Sequence, residues 1–241
     1  MIPRHLRQTG FTLVEMAIVL LIVALLLGGG LAVFSAQIEQ QKFKDTQKSL
    51  EDAKEALIGF AASHAATDGK PYLPCPDKTT AVGAGTANDG QEDRAVGVCV
   101  VTEGNLPWIT LGIAGADGWG NRLRYRVTLA FRSSTAGMQL SSLGTLTVNN
   151  ELAVAVATAV PAVILSHGSN GYGATSSSGA VIAQPPAVNI YEINNANAAD
   201  DIFISSSPIA TGGTGGEFDD IVTWLPATIL FNRMLQAGKL P

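Results

Sequence analysis

The sequence predicts an α+β protein: one long N-terminal helix packed on a β-rich head. Three observations carry that prediction. Met16 to Phe34 is a run of 19 residues without a charge. The polar stretch after it keeps an apolar stripe, with Phe43, Leu50 and Leu57 repeating every seven residues. The remainder is rich in Gly, Ser, Thr, Asn and Ala, and short alternating apolar segments are spaced by turn residues. A chain of 241 residues is long enough for one globular core plus an appendage.

The uncharged run comes first. At 1.5 Å per residue it spans roughly 28 Å as a helix, close to the ~30 Å hydrocarbon core of a bilayer. Arg4 and Arg7 precede it. The positive-inside rule then keeps the short N-terminus in the cytoplasm and exports the chain beyond the helix. One reading is a secretory signal peptide cut near Ser35, although the stretch is long for such a signal. A second is an uncleaved signal anchor.

The third reading rests on Gly10-Phe-Thr-Leu-Val-Glu15. This stretch resembles the class III signal of type IV pilins and type II secretion pseudopilins. In those proteins a short basic leader ends in Gly, an apolar helix starts with Phe, and a Glu lies five residues past the cut. The resemblance implies cleavage by prepilin peptidase between Gly10 and Phe11, then N-methylation of Phe11. Residues 1–10 are then a removed cytoplasmic leader and 11–35 a transmembrane and assembly helix. Residues 36–66 are the amphipathic half of the same helix, and 67–241 a periplasmic β-rich head. The fold implied is the type IV pilin fold, with an antiparallel β-sheet head. Glycine suits the scissile position because its backbone is unhindered.

Glu15 has two readings. Thr12-Leu-Val-Glu15 is a capping-box pattern, and a carboxylate in the first turn suits the helix dipole. A carboxylate entering hydrocarbon nevertheless costs several kcal/mol unless paired. The resemblance supplies a partner, the Phe11 amine of the same or a neighbouring subunit. Pairing with a neighbour would fix the axial register of helices in a filament.

Gly28-Gly29-Gly30 interrupts the apolar run, at roughly 1 kcal/mol each against Ala. It reads equally as a close-packing site or as a segment that melts on assembly. From Gln37 the pattern stays helical. Ile38, Ala53 and Phe60 join the heptad stripe, while Lys42, Lys44, Asp45, Lys48, Glu51, Asp52, Lys54 and Glu55 lie mostly opposite. This is one amphipathic face, too short in repeats for a coiled coil. The helix is expected from about Thr12 to about Ala66, ended by Asp68-Gly-Lys-Pro71.

In the head, Thr79 to Arg94 reads as a loop bracketed by Cys75 and Cys99. An exported head is oxidised, so one disulfide is expected. Gly118 to Asn121 reads as a turn and Leu123 to Phe131 as a strand. Asp117, Trp119, Gly120, Asn121 and Tyr125 resemble the D-x-W-G-N-x-x-x-Y segment of pseudopilin heads, with Trp119 as a core anchor. Leu146–Val148 and Ala162–Leu165 are strand candidates, and Leu152–Val160 fits helix or strand. Ile229, Leu230, Met234 and Leu235 mark a short amphipathic terminal helix or a partner surface.

Ser166, Gly168, Asp220, Ile221 and Trp224 resemble the layout that encloses calcium in the major pseudopilin of type II secretion. Asn170 stands where that layout has an acid, and an insertion of about 176–214 separates the halves. Asn170, Asp219, Asp220 and loop carbonyls are the candidate calcium ligands; the alternative is a solvated acidic turn. No other cofactor is expected.

Several function classes are disfavoured. Net charge is −5 with no basic stripe, so nucleic acid is not an expected partner. Two cysteines without CxxC do not make a zinc site. His5, His64 and His167 are scattered, and no nucleophile elbow is present, so no enzyme is expected. The resemblance implies a structural subunit, a minor pilin or type II secretion pseudopilin, whose partners are prepilin peptidase, other pilin or pseudopilin subunits and the inner membrane. A head larger than that of typical major subunits favours a minor component. The alternative is a periplasmic binding or adhesive module on a plain signal anchor.

Overall fold

In the computed structural model the described residues are 10–197 and 200–241, and the side chains of 26–34 lie outside the description. The leader expected at 1–10 is therefore described only at Gly10. The elements in order are α1 (Leu13–Ser63), β1 (Arg94–Ala95), β2 (Val98–Cys99), β3 (Glu103–Asn105), α2 (Trp108–Leu111), β4 (Arg124–Val127) and α3 (Leu129–Arg132). They continue with β5 (Leu146–Asn149), β6 (Ala155–Val160), β7 (Ala162–Ser166), α4 (Ile190–Ala196), β8 (Ile202–Ile204), β9 (Ile221–Leu225) and α5 (Ala227–Gln236). The chain divides into a first unit ending at Lys42 and a compact second unit, Phe43–Pro241.

In the first unit, the described start of α1, up to Leu25, is apolar on every side apart from Glu15. Phe11 is 85% and Leu13 88% exposed, and Val14, Met16, Ile18, Val19, Leu20, Leu21, Ile22 and Leu25 are exposed with them. Among the described residues no helix is long and apolar enough to cross a membrane. The expected span 11–35 runs into the undescribed side chains. Gly28–Gly30 lie within the helical backbone of α1. Ile38, expected on the buried stripe, is 56% exposed.

In the second unit the stripe is buried from Thr46 onward: Leu50, Ala53, Leu57, Phe60 and Ala61 are inside, and Phe43 is only half-buried. The helix ends at Ser63, three residues before the expected Ala66. There the Ser63 hydroxyl turns back to the Gly59 carbonyl at 2.8 Å, and His64 stacks on Phe60.

The buried stripe packs on a four-stranded antiparallel sheet, β3-β4-β7-β9. Its inner face supplies Tyr125 and Val127 of β4, Ala162 and Ile164 of β7, and Leu225 of β9, and α5 adds Leu230 and Met234. Strand period two sends Val163 and Leu165 to the opposite face. There they meet Leu146, Val148, Val160 and Phe203 of the second sheet. β7 is thus buried on both sides, which is why Ala162 to Ser166 carries no charge. Truncating a buried leucine such as Leu57 to Ala would cost roughly 2–5 kcal/mol.

The second sheet has the order β6-β5-β8. Its β5–β8 pair is parallel, which departs from the purely antiparallel head expected. The long connection between β5 and β8 permits it, because parallel strands need a crossover. β6 settles the ambiguous 152–160 stretch as a strand starting at Ala155. It is joined to β5 by a tight turn in which the Asn150 side chain accepts from Leu152 and Val154 N–H groups at 3.0 and 2.9 Å. A register shift bulges β6 opposite Thr147, with Ala159 at φ 54°. The strand expected over 123–131 is shorter: β4 stops at Val127 and the chain turns into α3. The segment expected as an insertion holds α4 and β8, and Asn195 ties them by donating to the Ile204 carbonyl at 3.0 Å.

Candidate functional site

At the N-terminus, Gly10, Phe11 and Thr12 precede the helix in non-helical backbone. Nothing lies within 4 Å of where a Gly10 side chain would be. The Gly10–Phe11 bond therefore lies in non-helical backbone that no described residue crowds. The next residues close a reciprocal cap. The Thr12 N–H donates to Glu15 Oε2 at 2.8 Å and the Thr12 hydroxyl donates to the same oxygen at 2.9 Å. The Glu15 N–H returns to the Thr12 hydroxyl at 3.2 Å. Glu15 is thus fixed in the first turn, four residues from Phe11, at the head of an uncovered apolar helix.

Residues 5–31 match the family model of the prokaryotic N-terminal methylation motif. The chain carries a type IV prepilin-like signal. No curated protein and no solved structure matches the chain.

Behind the prepilin-like signal, the two cysteines of the head are joined: Cys75 and Cys99 form a disulfide with Cα atoms 5.2 Å apart. It closes the 79–94 loop, in which Asp93 is buried and Asp89, Glu92 and Arg94 are half-buried. Lys78 is buried, and its ammonium donates to the carbonyls of Val82, Gly83, Ala84 and Gly85 at 2.8–3.2 Å.

The Asp117–Tyr125 block is a hydrogen-bonded corner. Asp117 Oδ1 accepts from the N–H groups of Trp119 and Asn121, both at 2.9 Å. Its Oδ2 accepts from the Ser166 hydroxyl at 2.6 Å. The Gly118 N–H donates to the α1 residue Thr46 at 2.9 Å. Tyr125 is fully buried, with its hydroxyl on the Pro74 carbonyl at 3.2 Å, whereas Trp119 is half-buried. The block ties helix, loop and sheet together, and Tyr125 is its core anchor.

The acidic residues converge at the ends of β7 and β9. Register pairs Ser166 with Ile221, which brings the loop after β7 beside Asp219 and Asp220. Gly168 has φ 61°, and a Cβ there would lie 2.4 Å from Asp219, so only glycine fits. Asp219 Oδ2 accepts from the Ser169 N–H, the Ser169 hydroxyl and the Asn170 N–H at 2.7–2.9 Å. Asn170 is at the site, but its side-chain oxygen accepts from the Tyr172 N–H at 2.9 Å. Its amide nitrogen donates to Glu192 at 2.7 Å.

Glu192, on α4, is the residue that sequence reasoning passed over. It is buried, and its carboxylate lies with those of Asp219 and Asp220 so that one oxygen from each falls within 4.8 Å of the others. Burial first, then neighbouring carboxylates, pushes the pKa values of Glu192 and Asp219 upward. Oδ1 of Asp219 and Oδ1 of Asp220 are buried without a hydrogen-bond partner. His167 is fully buried beside them, its Nδ1 3.6 Å from Asp220 Oδ1, and neither ring nitrogen has a hydrogen-bond partner. Three converging carboxylates, two of them with an orphaned buried oxygen, suit a hard cation that takes oxygen ligands.

Proposed function

We propose that this protein is a structural subunit of a type IV pilus or type II secretion filament, with the type IV pilin fold. In this reading prepilin peptidase cuts between Gly10 and Phe11 and Phe11 is N-methylated. The helix over 11–35 holds the chain in the inner membrane and then assembles with other subunits, leaving the head in the periplasm or on the filament surface. The observation that carries the reading is the match of residues 5–31 to the N-terminal methylation motif. The exposed apolar residues at the described start of the helix and a head with a helix-packed antiparallel sheet both support it. The all-round apolar surface needs lipid or other helices to cover it.

In the precursor, Thr12 occupies the Glu15 carboxylate. Cleavage creates a cationic amine at Phe11, and that amine, from a neighbouring subunit, gives Glu15 a charged partner. Calcium at Glu192, Asp219 and Asp220 fits the same reading as a clamp between α4 and the start of β9.

The test is an intact mass after coexpression with prepilin peptidase. Loss of Met1–Gly10 plus one methyl is the expected product. An unprocessed chain, or a cut near Ser35, sinks the proposal and favours a signal-anchored periplasmic module. Glu15→Val should be cleaved normally yet fail to enter filaments; normal incorporation would remove Glu15 from the assembly step.

A further inference from the structure

The head contains a second electrostatic anomaly, remote in sequence from the acidic cluster. Arg132, the last residue of α3, is 9% exposed. Its Nε and Nη1 are buried and have no hydrogen-bond partner. A guanidinium with two buried nitrogens that donate to nothing is costly, and a native structure offers a reason for such a group.

The nearby acids are all committed elsewhere. Glu103 receives Arg124 and Arg126. Asp201 accepts from Arg126 with one oxygen and from the Thr145 hydroxyl, at 2.8 Å, with the other. Glu92 accepts from Arg94 and from the Cys75 N–H, each at 2.9 Å. Arg94 and Arg126 therefore have hydrogen-bonded counter-ions, whereas Arg132 has no salt bridge among the described residues. Burial first, then repulsion from Arg126 and Arg94, pushes its pKa down, against the attraction of Tyr125 and Asp201.

Beside this cation is a cavity of about 180 Å³, lined by Arg132, Arg126, Thr102, Thr128, Thr145 and Asp201 among others. Its size suits an ion or a very small molecule rather than a drug-sized ligand, which needs ~300 Å³ or more. A guanidinium fork and threonines are the donors that recognise carboxylate and phosphate-type oxygens.

We propose that this cavity is a binding site for a small oxyanion, with Arg132 as its charged ligand. The anion supplies the negative charge that the fold leaves out and bridges α3 to the start of β5.

The experiment is thermal unfolding of the full chain in detergent micelles, followed by tryptophan fluorescence. Sodium phosphate and sodium acetate are titrated separately at constant ionic strength, balanced with chloride. A saturable rise in Tm with either anion is expected, and which one acts tells phosphate-type from carboxylate recognition. Arg132→Gln should lose the rise and, without added anion, be no less stable than the parent, since it removes an unpaired charge. Absence of a saturable rise with both anions, or an equal rise in Arg132→Gln, overturns the site. Should Arg132→Gln fail to fold, Arg132→Lys decides: it keeps the charge but loses the fork, so its midpoint should need at least tenfold more anion. An unchanged midpoint in that variant overturns the site.

Discussion

Asp77 makes the stability of the head depend on pH in an unusual direction. It is fully buried at the mouth of the disulfide-closed loop. Its two oxygens accept from the N–H groups of Asn88 and Gly90 at 3.0 and 3.1 Å. Burial, with added repulsion from Asp93 and Asp89, lifts its pKa to about 6. An aspartate in the unfolded chain titrates near ~3.9. Between roughly pH 4 and pH 6 the folded protein therefore holds more protons than the unfolded one, and stability falls as pH rises through that window. A shift of about two units corresponds to about 3 kcal/mol, lost in full above roughly pH 7. Asp77→Asn removes the charge at every pH, and its NH2 group cannot accept, so one of the two N–H bonds is lost as well. Urea unfolding at pH 4.5 and pH 8, followed by tryptophan fluorescence in EGTA, should find the variant less stable than the parent at the lower pH by about 1–3 kcal/mol. Between the lower and the higher pH the variant should gain up to about 3 kcal/mol on the parent. Taking the difference between the two proteins cancels the other buried carboxylates. A difference that does not change with pH would refute the reasoning.

Reducing Cys75–Cys99, which are 24 residues apart, should lower unfolding stability; the loop-entropy scale puts the loss at roughly 3–4 kcal/mol, read as a shift in urea midpoint with and without reductant. Calcium at a hundred times its Kd should stabilise the head by about 2.7 kcal/mol, EGTA should reverse this, and Asp220→Asn should abolish it; a melt indifferent to calcium dismisses that site. Ala153 holds φ 57° in the β5–β6 turn, where glycine is preferred. Ala153→Gly should raise stability by about 1 kcal/mol, measured by the same urea titration.

The helix and the prepilin-like signal were legible because both are local. A capping box needs four consecutive residues, and a buried stripe needs only period. The Phe43, Leu50 and Leu57 series located the packed face, but not where it begins: Ile38 has the right spacing and no sheet beneath it. Strand positions at β5 and β7 were readable from apolar runs, whereas β4 was overextended, because nothing in Thr128-Leu-Ala-Phe announces a turn into α3. The acidic site was half legible. Asp219 and Asp220 adjoin a strand, but Glu192 reaches them only through α4, inside a polar stretch that reads as an insertion. The Lys78 cage was invisible for a related reason. Its partners are backbone carbonyls, which every sequence has, and only the loop's path gathers four of them.

The outer strand β6 has a consequence for how this chain behaves in company. From Ala155 to Val160 it has no charged residue, and Val156 is 54% exposed. No described strand pairs with its far side. Lysines and prolines usually guard such rims against unwanted partners. Here the guard is geometric. The bulge opposite Thr147, with Ala159 in left-handed backbone, breaks the regular spacing of outward N–H and C=O groups that an arriving strand would have to match. The conformational strain at that alanine is thus a safeguard. It hinders a second chain from extending this sheet.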